Sequence, residues 1–174
     1  MKHILLPLRT IDVLKEFTMS SESTQPELQS RINISAPTAF RAVDQLRNLG
    51  ILSNGEEILS DTRGRPSTNL KLNPQGMCVF SLVIRSDISY LYLVDALGQI
   101  QEAVTIPVGA DEPYDSAIER YAVAINQFLD LARAQFFTTP GVGVTFAGSV
   151  DPQAGQLTAP SRFPGWHQKP IAQD

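Results

Sequence analysis

Arg41 closes the stretch Ser35-Ala36-Pro37-Thr38-Ala39-Phe40-Arg41, which sets a guanidinium beside two hydroxyls within two helical turns. A guanidinium presents a planar fork of donors that matches O6 and N7 on a guanine edge. A correct pair of that kind discriminates between bases by ~1–3 kcal/mol. Ser35 and Thr38 suit phosphate oxygens, which position a protein on a duplex without reading its sequence. A second basic feature is Arg63-Gly64-Arg65-Pro66, two arginines flanking a glycine with no apolar side chain to bury. Such a loop suits the narrow minor groove, where negative potential favours arginine, or serves as a flexible cationic linker. Alone, Arg41 fits a solvated helix surface equally well, so the elements around it must decide.

Enzymatic chemistry is harder to find. The sequence has no Gly-x-x-x-x-Gly-Lys phosphate loop, no His-Glu-x-x-His zinc pair and no Gly-x-Ser-x-Gly elbow. Gly141-Val142-Gly143 lacks the rest of a dinucleotide fingerprint. Asp87, Asp95 and Asp151 read as turn residues. The single cysteine, Cys78, sits in the apolar run Met77–Val83 and reads as a small core residue. It cannot form an internal disulfide or a cysteine-rich zinc site. No catalytic residue, cofactor or metal is expected.

Composition agrees with a globular protein: 174 residues, 43% hydrophobic and 18% charged. The net charge of −4 argues against general nucleic-acid affinity, but it is unevenly spread. Residues 1–72 carry nine lysines and arginines against eight carboxylates, while residues 73–174 carry five against ten. A near-neutral head on an acidic body permits DNA binding by the head. The apolar run at the start ends at Pro7, too short for a signal peptide, and no stretch approaches the ~20 apolar residues of a membrane helix. The expectation is a cytoplasmic protein with no membrane partner.

The head must position Arg41. Leu8, Ile11, Leu14 and Phe17 recur every three residues and predict a first helix from Pro7 to Phe17. Residues 18–23 are polar and read as a loop. Thr24 can cap a second helix over Pro26–Ile32, with Pro26 in its first turn, where a missing N–H costs nothing. Asn33-Ile34 makes a tight turn. Ser35 caps a third helix that runs to Leu49 and stops at Gly50. Ala36, Phe40, Val43 and Leu46 are expected on its buried face, and Thr38, Arg41 and Gln45 on its outer face. Ile51-Leu52, a turn at Asn54-Gly55, Ile58-Leu59, the basic loop and Asn69–Leu72 then predict a wing of short strands. In a helix-turn-helix the second helix of the pair enters the major groove by its N-terminal residues. Thr24, Ser35, Pro37, Thr38, Arg41 and Gln45, with Arg63 and Arg65 from the wing, are therefore the candidate DNA-binding residues.

The body, from Asn73-Pro74-Gln75-Gly76 onward, predicts strands at Cys78–Ile84, Ser89–Asp95 and Gln99–Ile106, a helix over Asp115–Phe136 and a strand at Gly141–Ala147. Ile118, Tyr121, Ala122, Ile125, Phe128 and Leu129 form the expected buried stripe of that helix. Beyond Gly148 the chain reads as irregular. A hairpin followed by a crossover helix implies a mixed sheet with helical cover. The fold class is thus α+β or α/β: a winged helix-turn-helix over residues 1–72, then a second domain over 73–174 with strand-strand-strand-helix-strand order.

Three segments carry a family resemblance: Gly64-Arg65-Pro66-Ser67-Thr68-Asn69-Leu70-Lys71-Leu72-Asn73, Gly141-Val142-Gly143-Val144-Thr145-Phe146-Ala147-Gly148-Ser149-Val150-Asp151-Pro152, and Phe163-Pro164-Gly165-Trp166. With the head pattern before them, the chain resembles the regulator branch of the repressor, open reading frame, kinase (ROK) family. The resemblance implies an actin-like, ribonuclease H-like ATPase lobe in the body and sugar-responsive repression as the function. It also implies an effector loop at Gly148, Pro164, Gly165 and Trp166. Where the family's kinases open their first strand with Asp-x-Gly, this sequence has Val83 and Arg85, so ATP use is not expected. The family's catalytic aspartate, Glu/His sugar-binding segment, cysteine-rich zinc site and second lobe have no counterpart here, which implies a partial lobe with weak or lost binding of a sugar or sugar phosphate.

The leading expectation is a DNA-binding repressor of sugar-metabolism genes acting on a double-stranded operator. A partial lobe is also expected to expose an apolar face or strand edge and to self-associate as a homodimer. One alternative is a DNA-binding or dimerisation module with no sugar response. The other is a sugar kinase, against which Val83 and Arg85 speak.

Overall fold

The computed structural model describes residues 6–58, 67–109, 111–136, 138, 141–159 and 162–172. The chain divides into two compact units, and the fold is mixed α and β in both. The first comprises Met1–Cys78, Asp95–Gln99 and Gln135–Pro140; the second comprises Val79–Val94, Ile100–Ala134 and Gly141–Asp174.

The first unit runs α1 (Leu8–Met19), β1 (Glu22–Thr24), α2 (Gln25–Ile32), α3 (Ala36–Asn48), β2 (Leu52–Ile58) and β3 (Ser67–Leu72). Its three strands form one antiparallel sheet in the order β1-β3-β2. The core joins Val13 and Phe17 of α1, Leu28 of α2, Ala42, Val43 and Leu46 of α3, and Ile51, Leu52, Leu70 and Leu72. Closing such a core removes apolar side chains from water at roughly 25 cal/mol per Å².

Four local readings of this unit are corrected. Leu8 does not join the buried stripe of α1: it is 80% exposed, and Thr10 and Val13 are buried instead. The segment read as a loop through residue 23 contains β1, whose three polar residues are too few for a period-two signal and are held by pairing with β3. Lys71 and Asn69 of β3 both reach the Glu22 carboxylate, at 3.5 and 3.1 Å. Asn54-Gly55 is not a turn, because β2 runs through it with a register shift between Asn54 and Glu57. On α3, Ala36 is exposed and Phe40 is 60% exposed, while Ala39 and Ala42 are buried. Two alanines let neighbouring elements approach this helix closely, and the bulkier Phe40 is left outside.

The second unit carries a four-stranded sheet in the order β6-β5-β4-β7, with β4 Cys78–Ile84, β5 Ser89–Asp95, β6 Ile100–Ile106 and β7 Val142–Phe146. β5 and β6 pair antiparallel, and β4 and β7 pair parallel, giving the mixed sheet expected of a hairpin followed by a crossover. The crossover contains α4, Tyr114–Gln135. Its buried residues are Tyr114, Ala117, Tyr121, Ala124 and Ala132; Ala122 is exposed, contrary to the expected stripe, and Ile118, Ile125, Phe128 and Leu129 are half-buried. The region read as irregular contains a short antiparallel pair, β8 Ser149–Asp151 with β9 Gln156–Ala159. β7 lies at the sheet edge, with Val142 41% and Val144 42% exposed. Beside it Leu82, Ile118, Tyr121, Ile125, Val142 and Val144 line part of an open apolar groove of about 560 Å³.

Candidate nucleic-acid interface

The turn between α2 and α3 is built from both sides. Thr24 caps α2 in a reciprocal box: the Glu27 amide donates to Thr24 Oγ1 at 3.4 Å, and the Thr24 amide donates to Glu27 Oε2 at 2.9 Å. These two bonds satisfy donors that a helix start otherwise leaves open. The Thr24 amide bond, joined by bonds from the Ser23 and Thr24 side chains and by the Arg31 charge, holds the Glu27 carboxyl below its ordinary value, against the opposing pull of burial. At the other end of α2, Asn33 adopts left-handed φ 49° and its amide donates to Gln29 O. Only Ile34 and Ser35 then separate it from α3.

Ser35 occupies the position before α3 with an extended backbone, but its side chain does not cap the helix. Its Oγ lies 2.8 Å from Thr38 Oγ1 instead, so the two hydroxyls form a pair at the helix start. The far end of α3 closes through Gly50, whose φ of +72° is a conformation a side chain would oppose. There the Gly50 amide donates to Arg47 O and the Ile51 amide to Leu46 O, both at 2.9 Å.

With Ala39, Ala42, Val43 and Leu46 turned inward, helical spacing places Pro37, Phe40, Arg41, Asp44 and Asn48 on the outward face, and all five are exposed. Among the described residues, Arg41 and Arg47 form no side-chain hydrogen bond or ion pair; Asp44 accepts from Asn48 Nδ2 at 3.1 Å. Arg41 is thus an unspent fork of donors on the exposed face of α3.

The proposed contact residues do not all meet there. Ser35, Pro37 and Arg41 are exposed and Thr38 is half-buried. Thr24 is buried and committed to its cap, so it serves by fixing α2. Gln45 is half-buried on the flank of α3 and accepts from Thr10 Oγ1 at 2.9 Å, tying α3 to α1. The outward face is therefore rotated from the one read in the sequence, and Gln45 belongs to the helix packing. Arg63 and Arg65 lie outside the described residues. Phe40 stands on this face although its size and helical spacing predict a core position: it is 60% exposed. The alternative register Ala39-Ala42-Val43-Leu46 was legible but weaker, since alanine contributes little to an apolar stripe.

In the second unit, Val83 is half-buried in β4 and Arg85 is exposed beside Asp87 at 3.4 Å. Neither offers the carboxylate or the bare backbone of a phosphate motif. Asp95 and Asp151 each accept two backbone amides within their own turns. Those amides, from Ala154 and Gln153, lower the Asp151 carboxyl from its ordinary value. Burial pushes the Cys78 thiol up to about 11, which keeps it protonated and inert near neutral pH. Among the described residues no group of three His, Cys, Asp or Glu side chains is placed to hold a metal, and no helix is long and apolar enough to cross a membrane.

The expected effector loop divides. Gly148, Pro164 and Gly165 are exposed, but Trp166 is fully buried. Its ring packs at 4.9–6.0 Å from Phe163, Tyr114 and Phe146, and its indole N–H donates to Glu112 O at 3.0 Å. With its only donor used and its faces covered, Trp166 is a core residue in this structure.

The mixed α+β fold of this chain has a structural counterpart. The chain is similar to the crystal structure of a ROK family transcriptional regulator, a homologue of the E. coli MLC protein, with a TM-score of 0.67 at 15% identity. The match covers 92% of this chain and 40% of that structure, so the likeness is one of fold and the chain spans less than half of its counterpart's length. No family model matches the sequence, and no curated protein matches it.

Proposed function

We propose that this chain is a sequence-specific DNA-binding transcriptional regulator, a repressor of sugar-metabolism genes without kinase activity. Residues 1–72 are its winged helix-turn-helix, with α2 and α3 as the helix pair and β2 and β3 as the wing. Residues 73–174 belong to an actin-like lobe. Its partner is double-stranded operator DNA in the cytoplasm. The observation that carries this reading is the outward face of α3, where Arg41 stands exposed and unpaired one turn beyond the Ser35–Thr38 hydroxyl pair. Arg41 reads a guanine edge, the hydroxyls meet phosphates, and Arg63 and Arg65 reach the minor groove or the backbone.

Selection of bound sequences from random duplex DNA, run on the 174-residue chain, tests this. The expected result is a recurrent motif whose affinity falls steeply with salt, because phosphate contacts release counterions. Recovery of unenriched sequences, or binding indifferent to salt, overturns it. Two half-sites in the motif accompany a homodimer, assembled through the second unit. Sedimentation showing only monomer at micromolar concentration contradicts that part.

A second reading, a module that binds DNA or dimerises without a sugar response, is favoured by the sealed position of Trp166. Calorimetry against a panel of sugars and sugar phosphates separates the two. Heat of binding supports the responsive regulator, and its absence supports the module.

A further inference from the structure

We infer that Phe40 is a specificity residue that reads the 5-methyl group of a thymine in the major groove. This inference rests on the DNA-binding reading and extends it to a base that Arg41 does not address. Phe40 is 60% exposed, although the same helix buries four smaller apolar residues completely or nearly so. Its position is surrounded by groups suited to a duplex. Arg41 follows it directly, Arg47 stands two turns along the helix, and both guanidiniums are unpaired among the described residues. Pro37, one turn back, is also exposed. The nearby Asp44 carboxylate opposes phosphate, but it suits the exocyclic amine of a cytosine. An exposed apolar ring on a helix face that also carries two guanidiniums and a carboxylate matches a groove floor bordered by phosphate strands. It does not match another protein's apolar patch, which would leave both arginines without partners.

The thymine methyl is the only apolar group that a base pair offers in the major groove. Phenylalanine recognises it through burial alone, and one buried methyl corresponds to about a fourfold change in affinity. The probe is the duplex recovered by selection, with each thymine replaced in turn by deoxyuridine, which lacks only that methyl. For the unaltered chain, affinity is expected to fall about fourfold at one thymine of each half-site and to hold elsewhere. Phe40→Ala is expected to bind thymine and deoxyuridine duplexes equally while keeping the guanine preference that Arg41 supplies. Equal binding of both duplexes by the unaltered chain overturns the inference, and so does methyl sensitivity that survives Phe40→Ala. A change of oligomeric state in Phe40→Ala with methyl sensitivity intact overturns it as well. Failure to retain any duplex removes the DNA-binding reading and this inference together, whereas retained binding without methyl discrimination removes this inference alone.

Discussion

The two units solve the placement of apolar residues differently. In the first, two alanines and a closely packed stripe on α3 close the core, and Phe40 is left exposed on a helix that also carries the unpaired Arg41. In the second, the aromatic side chains Phe163 and Trp166 are sealed completely, while the sheet edge leaves Val142 and Val144 in solvent beside an apolar groove. An unpaired apolar edge invites another strand. An exposed aromatic flanked by arginines invites a ligand with both phosphate and apolar groups. Exposure therefore has a different meaning in each unit, set by the charge around it.

The sharpest way to break this division of roles is to damage each core separately. Phe17→Ala in the first unit and Trp166→Ala in the second are each expected to cost about 3–5 kcal/mol, as measured by denaturant unfolding. Phe17→Ala should abolish duplex binding along with the fold of α1 to α3, and Trp166→Ala should leave binding of a single half-site by the first unit in place while weakening the two-half-site duplex through the dimer. Loss of binding in Trp166→Ala with the first unit still folded would mean that the roles are not separate.

The next effect in size concerns recognition without unfolding. Arg41→Ala should weaken the selected duplex by about 5- to 150-fold, the range of one lost bidentate base contact of ~1–3 kcal/mol, and relax the choice of base at one position. Arg85→Ala, on the second unit, removes an exposed ion pair and should change affinity less than twofold and leave stability essentially unaltered. Equal effects of the two substitutions in a binding titration would erase the contrast.

Smaller still is the support beneath the turn. Thr24→Ala should destabilise the first unit by about 1 kcal/mol in thermal or denaturant unfolding, through loss of the cap. Glu27, held below its ordinary value of 4.5, adds a pH dependence. Its folded form is the more acidic, so its contribution is present above pH 4.5 and is lost as pH falls through the lower folded value. Stability of the first unit should decline with acid in that range. Glu27→Gln should flatten the decline, and an unchanged pH profile would contradict the box.

Much of this architecture was legible because local chemistry and tertiary structure agree. Thr24 and Pro26 mark the start of α2, Gly50 marks the end of α3, and the apolar run Cys78–Ile84 is a strand because both its flanks are turn-prone. β1 was not legible: three polar residues have no periodicity, and only pairing with β3 makes them a strand. Nor was the short β8–β9 pair, whose register is irregular between Ser149 and Val150. Of the candidate face, the exposure of Ser35 and Arg41 at the start of α3 follows from residue type and position. The placement of Gln45 and Phe40 does not, because helical spacing alone does not say which of two overlapping stripes faces the core. Thr10, a polar residue buried on α1, settles Gln45 by binding it. The burial of Trp166 is not legible for a related reason, since only the tertiary structure brings Tyr114, Phe146 and Phe163 around a loop tryptophan.

Methylation interference on the selected duplex tests the central assignment directly, because a methyl group on guanine N7 occupies the atom that the Arg41 fork requires. The account predicts that N7 methylation of one guanine in each half-site blocks binding by the unaltered chain, and that the same lesion has no effect on the residual binding of Arg41→Ala. Interference at no guanine, or an interference pattern identical in the two proteins, contradicts it.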